Sequence, residues 1–186
     1  MTKNGSPKRG RYWAVTGEAG IAHAGPDTEL HTRLLADLEA TGARYRLIDH
    51  APEGRTELVS ALRGHDVAQA AKCLVVMVKL GKKQTRYVLA VVPGDARLDL
   101  AAVKDMLGGT YAAFAATDKA EELAGSVTGT VLPISYDTRL ELIVDPSLLC
   151  GEELFFNAAR LDRSIALATE DYVRLAKPRV ERIAAA

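Results

Sequence analysis

Residues 72–93 constrain the fold more than any other stretch of the chain. Lys72 to Leu80 reads KCLVVMVKL, Gly81 to Gln84 reads GKKQ, and Thr85 to Pro93 reads TRYVLAVVP. Two β-branched apolar runs flank a short polar segment that contains glycine, which predicts a β-hairpin. Both runs are almost wholly apolar rather than alternating, so both strands are expected inside a sheet that is covered on both faces. Lys72 is the exception, a cation at the entry to the most apolar strand. An ammonium is seldom fully buried without a partner. Lys72 therefore either carries its head out past the strand end or lines a pocket that wants positive charge.

The 186 residues are enough for one domain with its own core. Lys plus Arg and Asp plus Glu number 24 each, so no global field draws in a polyanion, and any such site must be a local patch. Cys73 falls in a predicted strand and Cys150 in a predicted turn, without metal or redox spacing, which suggests free thiols in a reducing, cytoplasmic compartment. The histidines at 23, 31, 50 and 65 are spread too widely for a local metal motif, and neither a metal nor a cofactor is expected. No apolar run reaches the ~18 residues of a membrane span.

Residues 1–26 carry Lys3, Lys8, Arg9 and Arg11 among glycines and prolines and read as a flexible basic tail, either inert or a phosphate-touching arm. Residues 27–186 read as one domain. Asp27-Thr28 can cap a helix whose apolar face is Leu30, Leu34, Leu35 and Leu38, ended by Gly42. Arg44 to His50 alternates as a half-buried strand with Tyr45, Leu47 and Asp49 on one face. Thr56 is expected to cap a helix over 57–62, and a short helix is expected over 67–71. A helix around Leu98 to Met106, a strand at 110–115 and a helix from Thr117 to Gly125 follow. Strands are predicted at 140–144, 153–157 and 164–168. A last helix opens at Thr169-Glu170-Asp171, with Tyr172, Val173 and Leu175 facing inward and Pro178 kinking or restarting it. The irregular alternation favours an α+β fold around a mixed sheet.

Between the helix that ends at Gly125 and the strand at 140–144 lies Gly125 to Tyr136, GSVTGTVLPISY. Two glycines and a proline among β-branched residues predict a bent, extended segment. Glycine lets a ligand approach the backbone, so such a segment can offer N–H and C=O groups to a small polar ligand, although a plain loop fits the pattern equally.

Several of these pieces, in order, resemble the YbaK/prolyl-tRNA-synthetase-associated editing domain. They are Ala71-Lys72-Cys73-Leu74-Val75, Tyr87 to Asp95, Leu98-Asp99-Leu100, and Gly129 to Pro133, which is similar to the Gly-x-x-x-Pro loop of the family. Ile48-Asp49-His50, Arg63-Gly64, Phe155-Phe156-Asn157-Ala158, Leu161 to Ile165 and Asp171 to Leu175 resemble its free-standing YeaK-like branch. The likeness spans roughly residues 28–182. It implies a mixed, partly barrel-like sheet surrounded by helices. It also implies a trans-editing deacylase that hydrolyses the ester of mischarged aminoacyl-tRNA of seryl or threonyl type, with a positioned water and assistance from substrate hydroxyls. An alanyl- or cysteinyl-tRNA specificity, or a non-enzymatic relative that binds tRNA or a protein, are the alternatives. The implied partners are the acceptor end of aminoacyl-tRNA and, further, an aminoacyl-tRNA synthetase.

On that resemblance Lys72 would hold the tRNA terminus or its developing charge, and Gly129 would share the catalytic position with it. The backbone of Gly129, Thr130 and Val131 would hold the aminoacyl group. Leu132, Pro133, Ser135, Asn157, His50 and Asp162 would complete the pocket, with Lys79, Lys82, Lys83 and Arg86 on the hairpin as candidate phosphate contacts. No residue set suits covalent catalysis, and an apolar strand raises the pKa of a thiol, which disfavours Cys73 as a nucleophile. Two departures stand out. Leu132-Pro133-Ile134 replaces the usual Pro-Pro-Phe of the branch and reshapes the pocket lip, and Ala159 stands where the branch has glycine.

Overall fold

The computed structural model describes residues 28–185; the basic tail expected over residues 1–26 lies outside them. Thr28 caps α1 (Glu29–Ala40), its hydroxyl accepting the His31 N–H at 3.0 Å, and Leu34 and Leu38 turn into the core. β1 (Tyr45–Asp49), α2 (Thr56–Arg63), β2 (Ala71–Lys79) and β3 (Thr85–Pro93) follow, then α3 (Leu100–Met106), β4 (Tyr111–Phe114) and α4 (Thr117–Ala124). The chain ends with β5 (Leu140–Val144), β6 (Glu153–Asn157), β7 (Arg163–Ala168), α5 (Thr169–Ala176) and β8 (Arg179–Val180).

The hairpin forms as the pattern predicts. β2 and β3 pair antiparallel from Ala71 opposite Pro93 to Lys79 opposite Thr85, around Gly81 at φ +88°. They lie inside a mixed five-stranded sheet of order β4-β2-β3-β5-β8, in which β5 runs parallel to β3 and to β8. A second, antiparallel sheet has the order β1-β7-β6. The two sheets meet at an isolated parallel bridge between Ala70 and Phe155, and no closed barrel forms among the described residues.

Alternation along the hairpin feeds two cores, which explains why both strands are apolar throughout. Val75, Leu89 and Val91 pack with Leu34 and Leu38 of α1 and with Leu154, Phe156, Ile165 and Leu167 of the smaller sheet. Val76, Val78, Val88, Ala90 and Val92 pack on the other face with Val103 of α3 and Ile183. Burying such side chains contributes about 1.5–3 kcal/mol each, as an upper estimate. No helix among the described residues is long and apolar enough to cross a membrane.

Four local expectations change. Residues 67–71 are not a helix: a 3-10 turn, Val67–Gln69, is closed by reciprocal capping between Asp66 and Gln69, and Ala70 is then drawn into the bridge with Phe155. Thr56 is the first residue of α2 rather than its cap; Arg55 holds the cap position without a side-chain bond. Leu47 is 39% exposed because β1 is an edge strand paired only with β7. Val173 is 38% exposed, and α5 ends at Ala176, where Lys177 turns left-handed before Pro178 and β8.

Candidate active site

β4 pairs with β2 only along Val76–Lys79, so the first residues of β2 keep an open edge. A cavity of about 340 Å³ occupies that edge. Its floor is Ala70 to Leu74, one wall is α2 through Thr56, Glu57, Val59 and Arg63, and the other is Thr128, Gly129 and Val131. Phe156 and Asn157 of β6 close it. The structure thus brings Lys72, Gly129, Val131 and Asn157, far apart in sequence, to one cavity.

The wall residues are held by a buried polar network. Asn157 donates through Nδ2 to the carbonyls of Gly129 at 2.7 Å and Glu53 at 3.0 Å. Its Oδ1 accepts from an Arg63 terminal nitrogen at 2.5 Å, and that donor fixes which way the amide faces. Arg63 Nε donates to Ser164 Oγ at 2.8 Å, and His50 Nε2 lies 2.6 Å from the same oxygen. His50 Nδ1 faces the Ala51 carbonyl at 2.8 Å and is therefore the protonated nitrogen of the neutral ring, and the single Ser164 hydroxyl proton lies between His50 Nε2 and Asn157 Oδ1, the latter 2.9 Å away. Burial and then the Arg63 charge depress the His50 pKa against the opposing bond to Ala51.

The Gly129 loop is pinned from behind as well. Thr130 is buried and closes a tight turn, its N–H and hydroxyl both donating to the Val127 carbonyl at 3.0 and 2.8 Å. Leu132 sits in the core, and the fully buried Tyr172 donates to the Pro133 carbonyl at 2.7 Å. Ser135 donates to the Leu140 carbonyl at 2.7 Å. Asp162 pairs with Arg160 through two bonds of 2.8 Å in the β6–β7 connection. His50, Thr130, Leu132, Pro133, Ser135 and Asp162 therefore stand behind the cavity and shape it, while Lys72, Gly129, Val131 and Asn157 line it. Neither the Gly129 nor the Val131 N–H has a protein acceptor among the described residues.

Lys72 reaches the cavity half-buried, and its ammonium donates to the Ala96 carbonyl at 2.6 Å. An ammonium has three donors, so this bond leaves two. Arg55 lines the rim and is paired with Glu53 at 3.1 Å. Lys72, Arg55 and Arg63 face one carboxylate in the lining, Glu57, so the cavity is a positive patch on a chain of zero formal net charge. Cys73 also lines it, but burial pushes its thiol pKa up and leaves it a poor nucleophile. The hairpin cations lie elsewhere: Lys79 is seven residues along β2 from Lys72, roughly 23 Å at about 3.3 Å per residue.

Sequence reading passed over Arg63 and Gly54 as site residues. Arg63 looks like an ordinary basic residue at a helix C-terminus, and Gly54 looks like a turn. Their partners, Asn157 and Gly129, lie more than seventy residues away in the sequence.

Residues 50–175 match the model of the aminoacyl-tRNA editing domain. The chain belongs to this family. It is 40% identical over 149 residues to the Escherichia coli K12 multifunctional Ser/Thr-tRNA deacylase ProXp-y, covering 80% of this chain and 89% of the relative. Among solved structures, a hypothetical protein superposes with a TM-score of 0.73 at 22% identity, covering 82% of this chain and 99% of the other. A candidate trans-editing enzyme for prolyl-tRNA synthetase superposes with a TM-score of 0.71 at 22% identity, covering 87% and 100%. At that identity these two likenesses speak for the fold.

Proposed function

We infer that this chain is a trans-editing deacylase that hydrolyses mischarged aminoacyl-tRNA, of the seryl and threonyl class. The observation that carries the reading is the convergence of Lys72, Gly129, Val131 and Asn157 on one positive cavity in a chain of the editing family. The 40% identity to a Ser/Thr-tRNA deacylase supports the amino-acid class.

In the reaction a water oxygen bonds to the ester carbonyl carbon, the bond from that carbon to the ribose oxygen breaks, and the ribose oxygen leaves with a proton. The products are free amino acid and uncharged tRNA. The lining offers no activated nucleophile, so the protein works by position and charge. Lys72 holds the phosphate-bearing terminus. The free N–H groups of Gly129 and Val131 are donors for the aminoacyl group, on a loop that Asn157 and Tyr172 keep from moving. Substrate hydroxyls and the solvent water carry the protons. Small lining residues such as Ala70, Ala71 and Val131 suit a short side chain.

The test is a panel of seryl-, threonyl-, alanyl- and cysteinyl-charged tRNAs with no added metal or nucleotide. Hydrolysis of the seryl and threonyl members is expected. Spontaneous rates across the panel would end the enzyme reading, and activity only on alanyl- or cysteinyl-tRNA would move the specificity.

The hairpin-tip cations Lys79, Lys82, Lys83 and Arg86 are too far along the sheet to touch the terminal nucleotide, and their place is on stem phosphates. Lys82→Glu with Lys83→Glu should raise KM for full tRNA and flatten its salt dependence, while sparing an aminoacylated CCA trinucleotide. An aminoacyl-tRNA synthetase is the further partner implied, and co-sedimentation of the purified proteins tests it.

A further inference from the structure

Arg63 has no carboxylate within ion-pairing distance among the described residues, although its side chain is largely withdrawn from water. A cation so placed is usually paired with an acid. Arg63 instead meets two neutral oxygens, Ser164 Oγ and Asn157 Oδ1. These take two of the five N–H donors of the guanidinium, which leaves three, and the residue is part of the cavity lining. Burial alone pulls its pKa down to about 10, so it is still charged at neutral pH. The cost of keeping that charge is not offset by an ion pair with any acid among the described residues.

The fork is also locked. Ser164 is itself held by His50, and Asn157 by the Glu53 and Gly129 carbonyls, so the guanidinium plane is set before a ligand arrives. A fixed planar fork suits two oxygens of one anion, whereas the Lys72 ammonium is a mobile point charge. We propose that Arg63 is the fixed anion-binding residue of the cavity and donates to an anionic oxygen of the substrate opposite Lys72. This rests on the deacylase reading above and adds a residue to it. The anionic oxygen has two sources at the end of an aminoacyl-tRNA: the terminal phosphodiester, present throughout, and the ester carbonyl oxygen, which becomes an oxyanion when water adds.

The experiment uses the full chain with Arg63→Gln and Arg63→Lys, each first checked by thermal melting. Adenosine 5′-monophosphate and adenosine are titrated by NMR, which reads anion binding without turnover. Single-turnover deacylation is then measured on seryl-tRNA and on 3′-O-seryl-adenosine, which has no phosphate. If the phosphate is the ligand, wild type prefers the monophosphate by at least tenfold. Arg63→Gln then lowers the preference severalfold, to the share that Lys72 supplies, and the phosphate-free ester is cleaved equally by both. If the oxyanion is the ligand, the nucleotide preference survives and the rate falls about 10²–10³-fold on both substrates, the loss typical of one oxyanion donor. Arg63→Lys, which cannot keep the fork on Ser164 and Asn157, should restore less than a tenth of either effect. A folded Arg63→Gln protein with unchanged nucleotide preference and unchanged rates on both substrates overturns the proposal. A wild type that deacylates nothing but still prefers the monophosphate would sink the deacylase reading and leave the anion site standing.

Discussion

Gly54 and Gly129 pack backbone to backbone: a Cβ on Gly129 would stand 2.9 Å from the Gly54 Cα, and one on Gly54 would stand 3.2 Å from the Gly129 Cα. The crossing is held by Asn157, which donates to the carbonyls of both Glu53 and Gly129. The Glu53 carboxylate steadies the same corner by accepting the N–H groups of Gly54 and Arg55 at 3.0 and 2.8 Å. Two loops seventy-five residues apart thus form one wall of the cavity because neither carries a side chain at the crossing.

Gly129→Ala should accordingly be worse than Gly54→Ala. At φ +88° an alanine adds roughly 1–2 kcal/mol of left-handed strain to the collision with backbone. Gly54→Ala meets the Leu161 side chain at 3.1 Å as well as Gly129, but Gly54 is not at positive φ. We expect Gly129→Ala to melt several degrees lower and to lose more than tenfold in single-turnover rate, with Gly54→Ala between it and wild type. Thermal melts and deacylation on the same preparations check the order, and equal behaviour of the two variants would refute the shared wall.

The second departure from the family pattern now has a physical reading. Ala159, where the branch has glycine, sits at φ +58°, buried in the β6–β7 connection. Ala159→Gly should relieve roughly 1–2 kcal/mol of strain and give part of it back as chain entropy in the unfolded state. A net gain of about 0.5–1 kcal/mol is expected, a melting temperature higher by about 1–4 °C at about 2–4 °C per kcal/mol. A lower melting temperature would show that the alanine methyl packs better than its backbone costs.

Acid should weaken the fold through its histidines. His50 and His65 both have pKa values depressed first by burial, and Arg63 adds to each. His65 stacks on Phe155 with ring centroids 3.8 Å apart, and its Nε2 is buried without a hydrogen-bond partner among the described residues. Between the depressed folded pKa and the ordinary value of about 6.5, the unfolded chain binds more protons than the folded one. Stability therefore falls as pH drops through about 6.5 and levels off below the folded pKa values. His65→Phe keeps the stack and removes one titration, so its melting temperature should vary less between pH 8 and 5 than that of wild type. An equal slope would clear His65 of the effect.

The hairpin was legible because its period and its apolar content both follow from having a core on each face. The capping of α1 by Thr28 was legible because it is local. The 3-10 turn at 67–69 was not, because the bridge from Ala70 to Phe155 decides it and that contact spans eighty-five residues. The site divides the same way. Lys72 stands out as a charge in an apolar strand, and Asn157 and the Gly129 loop are marked by their motifs. Arg63 shows its character only in three dimensions, where it meets two neutral oxygens and no acid among the described residues. Leu132, Pro133 and Ser135 share the loop with Gly129, yet Leu132 and Pro133 are buried, the Pro133 carbonyl accepts from Tyr172, and Ser135 donates to the Leu140 carbonyl. No one-dimensional pattern separates a residue that lines a cavity from its neighbour that props it up.

Lys72 gives the sharpest prediction. In the structure its ammonium makes one bond, to the Ala96 carbonyl, and its backbone pairs with Val92. Lys72→Ala leaves the strand pairing intact and frees one half-buried carbonyl, so the melting temperature should move by only a few degrees. The activity should not survive equally well. A charge that meets phosphate or a developing oxyanion in a partly desolvated cavity contributes roughly 2.7–4 kcal/mol to the barrier, about 10²–10³ in rate. Lys72→Arg keeps the charge but replaces a compact ammonium with a planar fork, and should rescue less than a tenth of the loss. A melt and a single-turnover assay on one preparation read both quantities. A Lys72→Ala protein that melts normally and still deacylates near the wild-type rate would remove the ammonium from the chemistry. Catalysis would then rest on the Gly129 to Pro133 loop and on Arg63.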